Sequence, residues 1–452
     1  MYPVLSPRLR TAPVGVWAIG LILLIQMAAV LWIGLPGQLS FDSIIQLYEG
    51  RMLKVISFNP PLMSLLLGLF DRLGSGPVGF VLLSSTMLLA ASGLALAHAQ
   101  RLSWWRWLLS AIILLNPVIL LYTGIVWKDV LLAHAIVLAY FLVDHLHRRE
   151  QPVGPLGISL TLLLLAVIIG ARQQGILFAI PLAIWLALSA RRSTALSLLL
   201  AAMFVALPYE ANQLMQRLTH TAAQTEEPSA NQTGLQVLMR YDLVGIAAHG
   251  GKLDPGLPGP VIAELSTVVP RYSPYRVDTI GNDSPGYFHL PLNSIRTYWW
   301  QTVSTYPKAY LLHRLDTFRI LLGWGDVGQC VPLHYGTYGP VYAYGVNGDL
   351  LPKLGLVAGP GPLIIQISHF LDYAVASPLF MHGFYALVLL ITAVVLYRRH
   401  SWVLLTLSLC SLAYLGSYAL IGIACDFRYG YTLIVVTSLV TARVLLTHRQ
   451  QP

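Results

Sequence analysis

Long apolar runs separated by short polar breaks fill most of this chain. Ten of them approach the roughly 20 residues that a helix needs to cross a bilayer: residues 14–34, 77–99, 107–124, 127–144, 155–171, 174–190, 194–209, 375–397, 401–421 and 428–446. Almost nothing separates the third run from the fourth, or the fifth from the sixth, so both pairs are expected as tight hairpins. No small-residue cleavage site follows the first run, which therefore reads as a span and not as a signal peptide. Lys and Arg mark the cytoplasmic side of short loops. Arg8 and Arg10, Arg101 and Arg106, Arg148 and Arg149, Arg191 and Arg192, Arg398 and Arg399, and Arg449 all fall on one face when ten crossings alternate. Both termini are then expected in the cytoplasm.

Composition agrees with this pattern. Of 452 residues, 56% are hydrophobic and 10% charged, against about 25% charged in an average soluble domain. Mean hydropathy is +0.66. These values exclude a soluble globular chain and a disordered one. The expected class is a polytopic α-helical membrane protein. Net charge is +9, but the basic residues form small clusters between apolar runs, which is a topology signal and no nucleic-acid surface. Three cysteines are too few for a disulfide scaffold. Cys410 lies within a span, and whether Cys330 and Cys425 pair is left open by the sequence.

The order of elements predicts three parts. Residues 1–209 form an N-terminal transmembrane module, with external juxtamembrane helices in 35–76. Residues 210–374 form an external, periplasmic domain, and 375–452 a C-terminal transmembrane module. In the first external segment, apolar residues from Asp42 to Lys54 fall at helical spacing. Asn59-Pro60-Pro61 then opens a second apolar stretch, where Asn is a favoured cap and Pro a favoured first residue. Both stretches are too short to span and suit helices lying at the membrane surface. The 210–374 segment holds turn signals at Asp254-Pro255, Ser273-Pro274, Ser284-Pro285 and Gly339-Pro340, and a basic, amphipathic stretch from Ser294 to Leu322. It is expected to hold a small mixed domain, although no long alternating strand pattern is visible.

Ionisable residues beside spans are costly and are often functional. Four external hairpins each bring some: Asp42 after the first span, Lys128 and Asp129 between the third and fourth, Arg172 between the fifth and sixth, and Asp426 and Arg428 before the last. Arg172 runs against the positive-inside pattern, so topology does not explain it. Carboxylates suit a general base, and Lys and Arg suit a phosphate. Structural duties compete with these roles: Asp42 and Asp129 as helix caps, Lys128 as a snorkelling side chain, and Asp426–Arg428 as a local pair.

Taken in order, Phe41-Asp42, Asn59-Pro60-Pro61, Trp127-Lys128-Asp129, Phe427-Arg428-Tyr429 and the large late external segment resemble the GT-C superfamily of polyprenyl-phosphate-sugar glycosyltransferases, in a bacterial branch. The resemblance covers residues 1–210 and the last 80, while 210–374 matches nothing specific. Relatives often carry His where this chain has Asn59. The resemblance implies inverting transfer of a sugar from a polyprenyl-phosphate donor to a glycan, lipid or protein acceptor on the external face of the inner membrane. It implies Asp42 as base and Asp129 as a second acid that orients the acceptor or holds a divalent metal. Lys128, Arg172 and Arg428 become candidates for the donor phosphate. No cofactor beyond this is implied, and no nucleic-acid partner.

The histidines His249, His289, His313, His334, His369 and His382 lack the spacing of a helical zinc site. Arg314, Asp316 and Arg319 read as a solvated helix face with an i, i+3 pair. Trp324-Gly325-Asp326 reads as a turn. Tyr298, Trp299 and Trp300 read as an interfacial belt, and Tyr335, Tyr338, Tyr342 and Tyr344 as belt or sugar-stacking rings. Two other functions stay open. One is a transporter or flippase of lipid-linked glycans, which calls for charges near the midplane and repeat symmetry. The other is an O-antigen ligase or polymerase, for which His313 and Arg314 are the relevant pair.

Overall fold

The computed structural model describes residues 13–57, 59–97, 99, 103–149, 153–189, 194–219, 230–253, 256–280, 290–338, 349–360 and 362–447. Arg8, Arg10, Arg101, Arg191, Arg192, Arg449, His289, Tyr342, Tyr344 and the turns at residues 254–255, 284–285 and 339–340 lie outside the described residues, as does the side chain of His369. Among the described residues there are nineteen α-helices and no sheet, only isolated bridges such as Gln38 with Ile125 and Leu39 with Thr337. The mixed domain expected in 210–374 thus shows, where it is described, helices joined by irregular segments, with isolated bridges at Arg276 and Thr337 in place of a sheet.

The helices run in chain order as α1 (Pro13–Gly34), α2 (Phe41–Met52), α3 (Pro61–Arg72), α4 (Gly76–Leu96), α5 (Trp104–Leu114), α6 (Pro117–Thr123), α7 (Lys128–Arg148), α8 (Pro155–Ala171), α9 (Ile176–Ser189) and α10 (Thr194–Thr219). Then follow α11 (Ala230–Ala248), α12 (Gly259–Val268), α13 (Leu292–Thr305), α14 (Pro307–Leu321), α15 (Leu350–Leu354), α16 (Pro362–Val375), α17 (His382–Arg398), α18 (Trp402–Ile421) and α19 (Tyr431–Leu446). Pro opens α3, α6, α8 and α14, where its missing N–H costs nothing. The basic, amphipathic stretch from Ser294 to Leu322 forms two helices, broken at Tyr306-Pro307.

Among the described residues, five helices are long and apolar enough to cross a membrane: α1, α4, α7, α18, and α19 with the turn before it. The count is six if α5 and α6, bent by 41°, form one span. The bend has a local cause. Pro117 interrupts the helix, and Asn116 caps the second half by accepting the Val118 N–H at 2.9 Å. Helices α8, α9 and α17 are apolar but shorter. The chain is therefore a polytopic helical membrane protein.

Helices α4, α7 and α19 lie side by side at the centre. His134 on α7 hydrogen-bonds Ser84 on α4 at 2.8 Å and Tyr431 on α19 at 2.9 Å. Some three turns further along, Arg443 on α19 reaches Asp144 on α7 at 3.4 Å and the Ala95 carbonyl on α4 at 3.3 Å. All three helices therefore run the same way. Their first turns define one end of the bundle and their last turns the other. Arg148 bonds Ser401 at that second end, which brings the start of α18 there and its finish to the first end. A second apolar core forms where α11, α12 and α13 meet, around Tyr241, Leu265 and Ile295.

Close backbone approach fixes the first connection. Helices α2 and α3 fold back on each other through Gly50 and Gly68, where a Cβ on either would overlap the other's backbone. Buried Glu49 ties the connection between them. It accepts the Ile56 N–H at 2.9 Å, the Ser57 N–H at 2.6 Å and the Ser64 hydroxyl at 2.6 Å. Replacing Gly68 with Ala should thus lower thermal stability by about 1–3 kcal/mol, as overpacking does. Gly416→Ala serves as control, since a Cβ there meets nothing within 4 Å. Equal melting temperatures for the two variants in detergent would contradict the contact.

Candidate active site

Asp42 sits in the first turn of α2, but it is not the cap. Ser40 holds that position, with its N–H donated to Ser43 Oγ at 2.8 Å. Trp127 Nε1 donates to Ser40 Oγ at 2.7 Å, which ties the start of α2 to the start of α7. Freed from capping, the Asp42 carboxylate accepts a hydrogen bond from Arg428 Nη1 at 2.7 Å. The same guanidinium reaches Asp426 at 3.1 Å and lies 5.3 Å from the centre of the Trp127 ring. Burial pushes the Asp42 carboxyl up. The charges of Arg428, Lys128 and Arg172 outweigh burial and hold it below the ordinary carboxylate value. Asp426 moves the other way: burial raises it, Arg428 opposes this, and Asp42 and Asp278 add to the rise.

Lys128 opens α7, and its Nζ donates to Asn59 Oδ1 at 2.5 Å. Asn59 therefore does not cap α3, whose cap position is Pro60. Its amide stays in the hairpin with Ser57 Oγ at 3.2 Å. An ammonium has three protons to donate, and this contact uses one.

Asp129, one residue on, is 1% exposed. Arg172 Nε stands 2.8 Å from its Oδ1, yet neither Asp129 oxygen receives an aligned hydrogen bond from a described residue. The contact is one of charge. Arg172 sits in the extended break between α8 and the following 3-10 turn. Its Nη1 donates to the hydroxyls of Tyr418 and Tyr414, and the guanidinium lies 4.9 Å from the Tyr429 ring centre. These tyrosines come from α18 and from the turn before α19, so Arg172 binds three connections together.

Beside these groups lies a cavity of about 460 Å³, lined by Asp42, Asp278, Asp426 and Arg428 with Trp127 and Phe427 as aromatic walls. His334 also lines it, and burial pushes that imidazole down, towards its neutral form. The five residues expected to carry chemistry, Asp42, Lys128, Asp129, Arg172 and Arg428, thus gather at one end of the bundle from four separate connections. Their charges are largely spent on one another. Asp278 and His334 had no signal of their own in the sequence. Asp426 was visible, but only as the local partner of Arg428. Among the described residues no three His, Cys, Asp or Glu side chains converge on one point. The donor set thus does not fit the divalent metal considered for Asp129, and no step is derived through one.

Cys330 and Cys425 are joined in a disulfide. Their next neighbours, Val331 and Asp426, both line the cavity. A second polar cluster lies in α11–α14. Buried Asp242 accepts the Trp299 indole N–H at 2.7 Å, lies 3.1 Å from His313 Nε2, and forms an ion pair with Arg314 at 2.5 Å. His313 also contacts the Tyr272 hydroxyl at 2.7 Å. Arg314 is therefore buried and not on a solvated face, although the Asp316–Arg319 pair at 2.8 Å is present. Trp299 belongs to this cluster and not to a belt. Trp324-Gly325-Asp326 forms the expected turn, with Asp326 accepting the Gly328 N–H at 3.1 Å.

Compared with protein-family models, curated proteins and solved structures, the chain matches none of them.

The geometry makes Arg172 and Asp129 one unit. Breaking a buried pair typically costs about 3–5 kcal/mol, because it strands a charge. Arg172→Met should therefore depress the melting temperature strongly, and adding Asp129→Leu should restore most of the loss. A single variant that melts like the wild type would show that the pair does not hold the site together.

Proposed function

We propose that this chain is a GT-C-type membrane glycosyltransferase that transfers a sugar, with inversion, from a polyprenyl-phosphate donor to a glycan, lipid or protein acceptor. One observation carries the reading: Asp42, Lys128, Asp129, Arg172 and Arg428 converge at a single end of an apolar bundle, beside a cavity of sugar size. A lipid donor needs its reactive phosphate at that depth, where the bilayer ends and water begins.

The topology proposed with it has ten crossings, with the chain ends cytoplasmic and residues 210–374 outside the inner membrane. Helices cover most of each apolar run, although 107–124 is broken in two and 375–397 is helical only from His382, which supports this in part. So does the separation of Asp144, Arg148 and Arg443 from the candidate site by about 22–30 Å, at about 1.5 Å of helix rise per residue. The disulfide lies at the site end, which suits an oxidising compartment.

In this reaction the acceptor hydroxyl attacks the anomeric carbon, the bond to the phosphate oxygen breaks, and Asp42 takes the hydroxyl proton. Being held ionised suits Asp42 for that task. The leaving phosphate carries charge that a fixed cation must stabilise. Of the three candidate cations, Arg172 is occupied by Asp129, and Arg428 by Asp42 and Asp426. Lys128 has a neutral amide as its partner among the described residues. Lys128 is thus the proposed phosphate ligand, and the two arginines set the carboxylates. An apolar groove of about 540 Å³ between α9 and α10 reaches Ile176, four residues after Arg172, where a lipid tail would leave the site. The ligase alternative loses its residues, since His313 and Arg314 are buried and held by Asp242. The described candidate charges crowd one end of the bundle, unlike the midplane site of a transporter.

The test is transfer by purified protein in lipid, given a polyprenyl-phosphate sugar. Asp42→Asn should lower transfer by about 100- to 10,000-fold, the usual share of proton transfer, with donor binding retained. Lys128→Gln should weaken donor binding by about 10- to 100-fold, the loss of one charge-assisted hydrogen bond. Near-full transfer by Asp42→Asn, alongside its loss in Asp129→Asn, would move the base to Asp129.

A further inference from the structure

We propose that the acceptor in this reaction is a carbohydrate without negative charge, held on the outer wall of the cavity by the carboxylate of Asp278. The inference rests on the transferase reading above and narrows its acceptor from three classes to one. The cavity has two walls. Asp42, Trp127 and Arg428 come from the connections between bundle helices, whereas Asp278, Val331 and His334 come from the segment 210–374. The donor phosphate belongs to the first wall, near Lys128. The attacking hydroxyl must come within one hydrogen bond of Asp42, so the rest of the acceptor falls to the second wall.

Asp278 is fixed in its backbone and free in its side chain. The Val277 N–H donates to the Ile423 carbonyl at 2.8 Å, and the Cys425 N–H donates to the Tyr275 carbonyl at 2.9 Å. The Asp278 carboxylate is exposed, lines the cavity, and has no hydrogen bond or ion pair among the described residues. In this it differs from Asp42 and Asp426, which share Arg428. A fixed carboxylate with both oxygens open accepts strong hydrogen bonds from a pair of hydroxyls. His334 stands on the same wall, its ring centre 5.5 Å from that of Trp127. Its Nε2 makes no aligned hydrogen bond to a described residue, although the Leu39 and Gly336 carbonyls lie nearby. Phe41 also lines the cavity and is 46% exposed, which offers a ring to the C–H face of a sugar. Aromatic walls with a few placed polar groups are the usual make-up of a small-molecule site.

Charge then decides among acceptors. The described residues that line the cavity include three carboxylates and one cation, Arg428, which Asp42 and Asp426 already share. Lys128 is committed to the donor phosphate. An acceptor bearing phosphate or carboxylate would meet Asp278 with no lining cation left to pair it, and like charges brought together repel. A diacylglycerol or a serine side chain offers one hydroxyl, which Asp42 takes, and leaves Asp278 and Phe41 without a partner. A sugar brings further hydroxyls and an apolar face together.

The experiment uses the purified full-length protein in nanodiscs with a polyprenyl-phosphate sugar. The acceptor probes are a mixture of methyl glycosides of the common hexoses, the phosphate monoesters of the same glycosides, a serine peptide and diacylglycerol. Binding is read by saturation-transfer NMR, and transfer by the mass of the product. The neutral glycosides should be bound and extended, and the phosphate esters at least about tenfold less well. Asp278→Asn should raise the acceptor KM by about tenfold, as a charge-assisted hydrogen bond becomes a neutral one, with donor affinity kept within about twofold. Asp278→Lys should turn the preference towards the phosphate esters. The inference is overturned if wild type binds no glycoside, uses phosphate esters and neutral glycosides equally, or transfers only to peptide or diacylglycerol. An Asp278→Asn variant with the wild-type acceptor KM overturns it as well. Glycoside binding that depends on Asp278, without transfer to any probe, would instead sink the transferase reading and leave this carbohydrate site standing.

Discussion

One guanidinium organises the working end of this protein. Arg428 is held between Asp42 and Asp426 and against the Trp127 ring. A charge in an apolar bundle costs several kcal/mol unless it is paired. Here that cost is met by drawing α2, α7 and the start of α19 together. Arg172 repeats the device one layer away, with Asp129 and three tyrosines. Each pairing fixes a carboxylate in place, and each uses up a cation that the sequence alone offers to a phosphate. Of the three candidate cations, Lys128 is the one with no ion pair among the described residues: its hydrogen bond goes to a neutral partner, Asn59, while its charge acts on Asp42 through space.

Much of the architecture was legible because bilayer-length apolar runs are a one-dimensional signal. Helices cover most of each run, though only five or six of them among the described residues are long and apolar enough to cross, and the short stretches around Ile44 and Leu66 recur as α2 and α3. The convergence of four connections was legible too, since each carried an ionised residue beside a span. What could not be read was who pairs with whom. Asp42 could also be read as a cap, because Asp is a favoured capping residue, and only the structure shows that Ser40 holds that position. Asp242 lies 71 residues before His313, and only folding brings it into one buried cluster with His313 and Arg314. The bend at Asn116-Pro117 was readable in principle from the proline, but the continuous apolar run around it concealed the break.

The second polar cluster joins the same design. Arg314 donates to the Gly422 carbonyl at 2.7 Å, and the Cys425 N–H donates to the Tyr275 carbonyl at 2.9 Å. The disulfide then links residue 425 to the loop after α14. Three kinds of bond thus grip the segment 422–425 immediately before Asp426 and Arg428. In the proposed reaction, this rigidity keeps two carboxylates at fixed positions beside the sugar, which is where catalytic power from orientation comes from.

The most direct measurement is an experimental map of the protein in lipid with a non-transferable polyprenyl-phosphonate sugar bound. The account predicts a phosphonate oxygen within about 2.7–2.9 Å of Lys128 Nζ, the length of a charge-assisted hydrogen bond. It also predicts the sugar in the cavity between Asp42 and Trp127, with Arg428 still on its two carboxylates. A head group bound away from this end of the bundle, or a cavity left without the sugar, would contradict it.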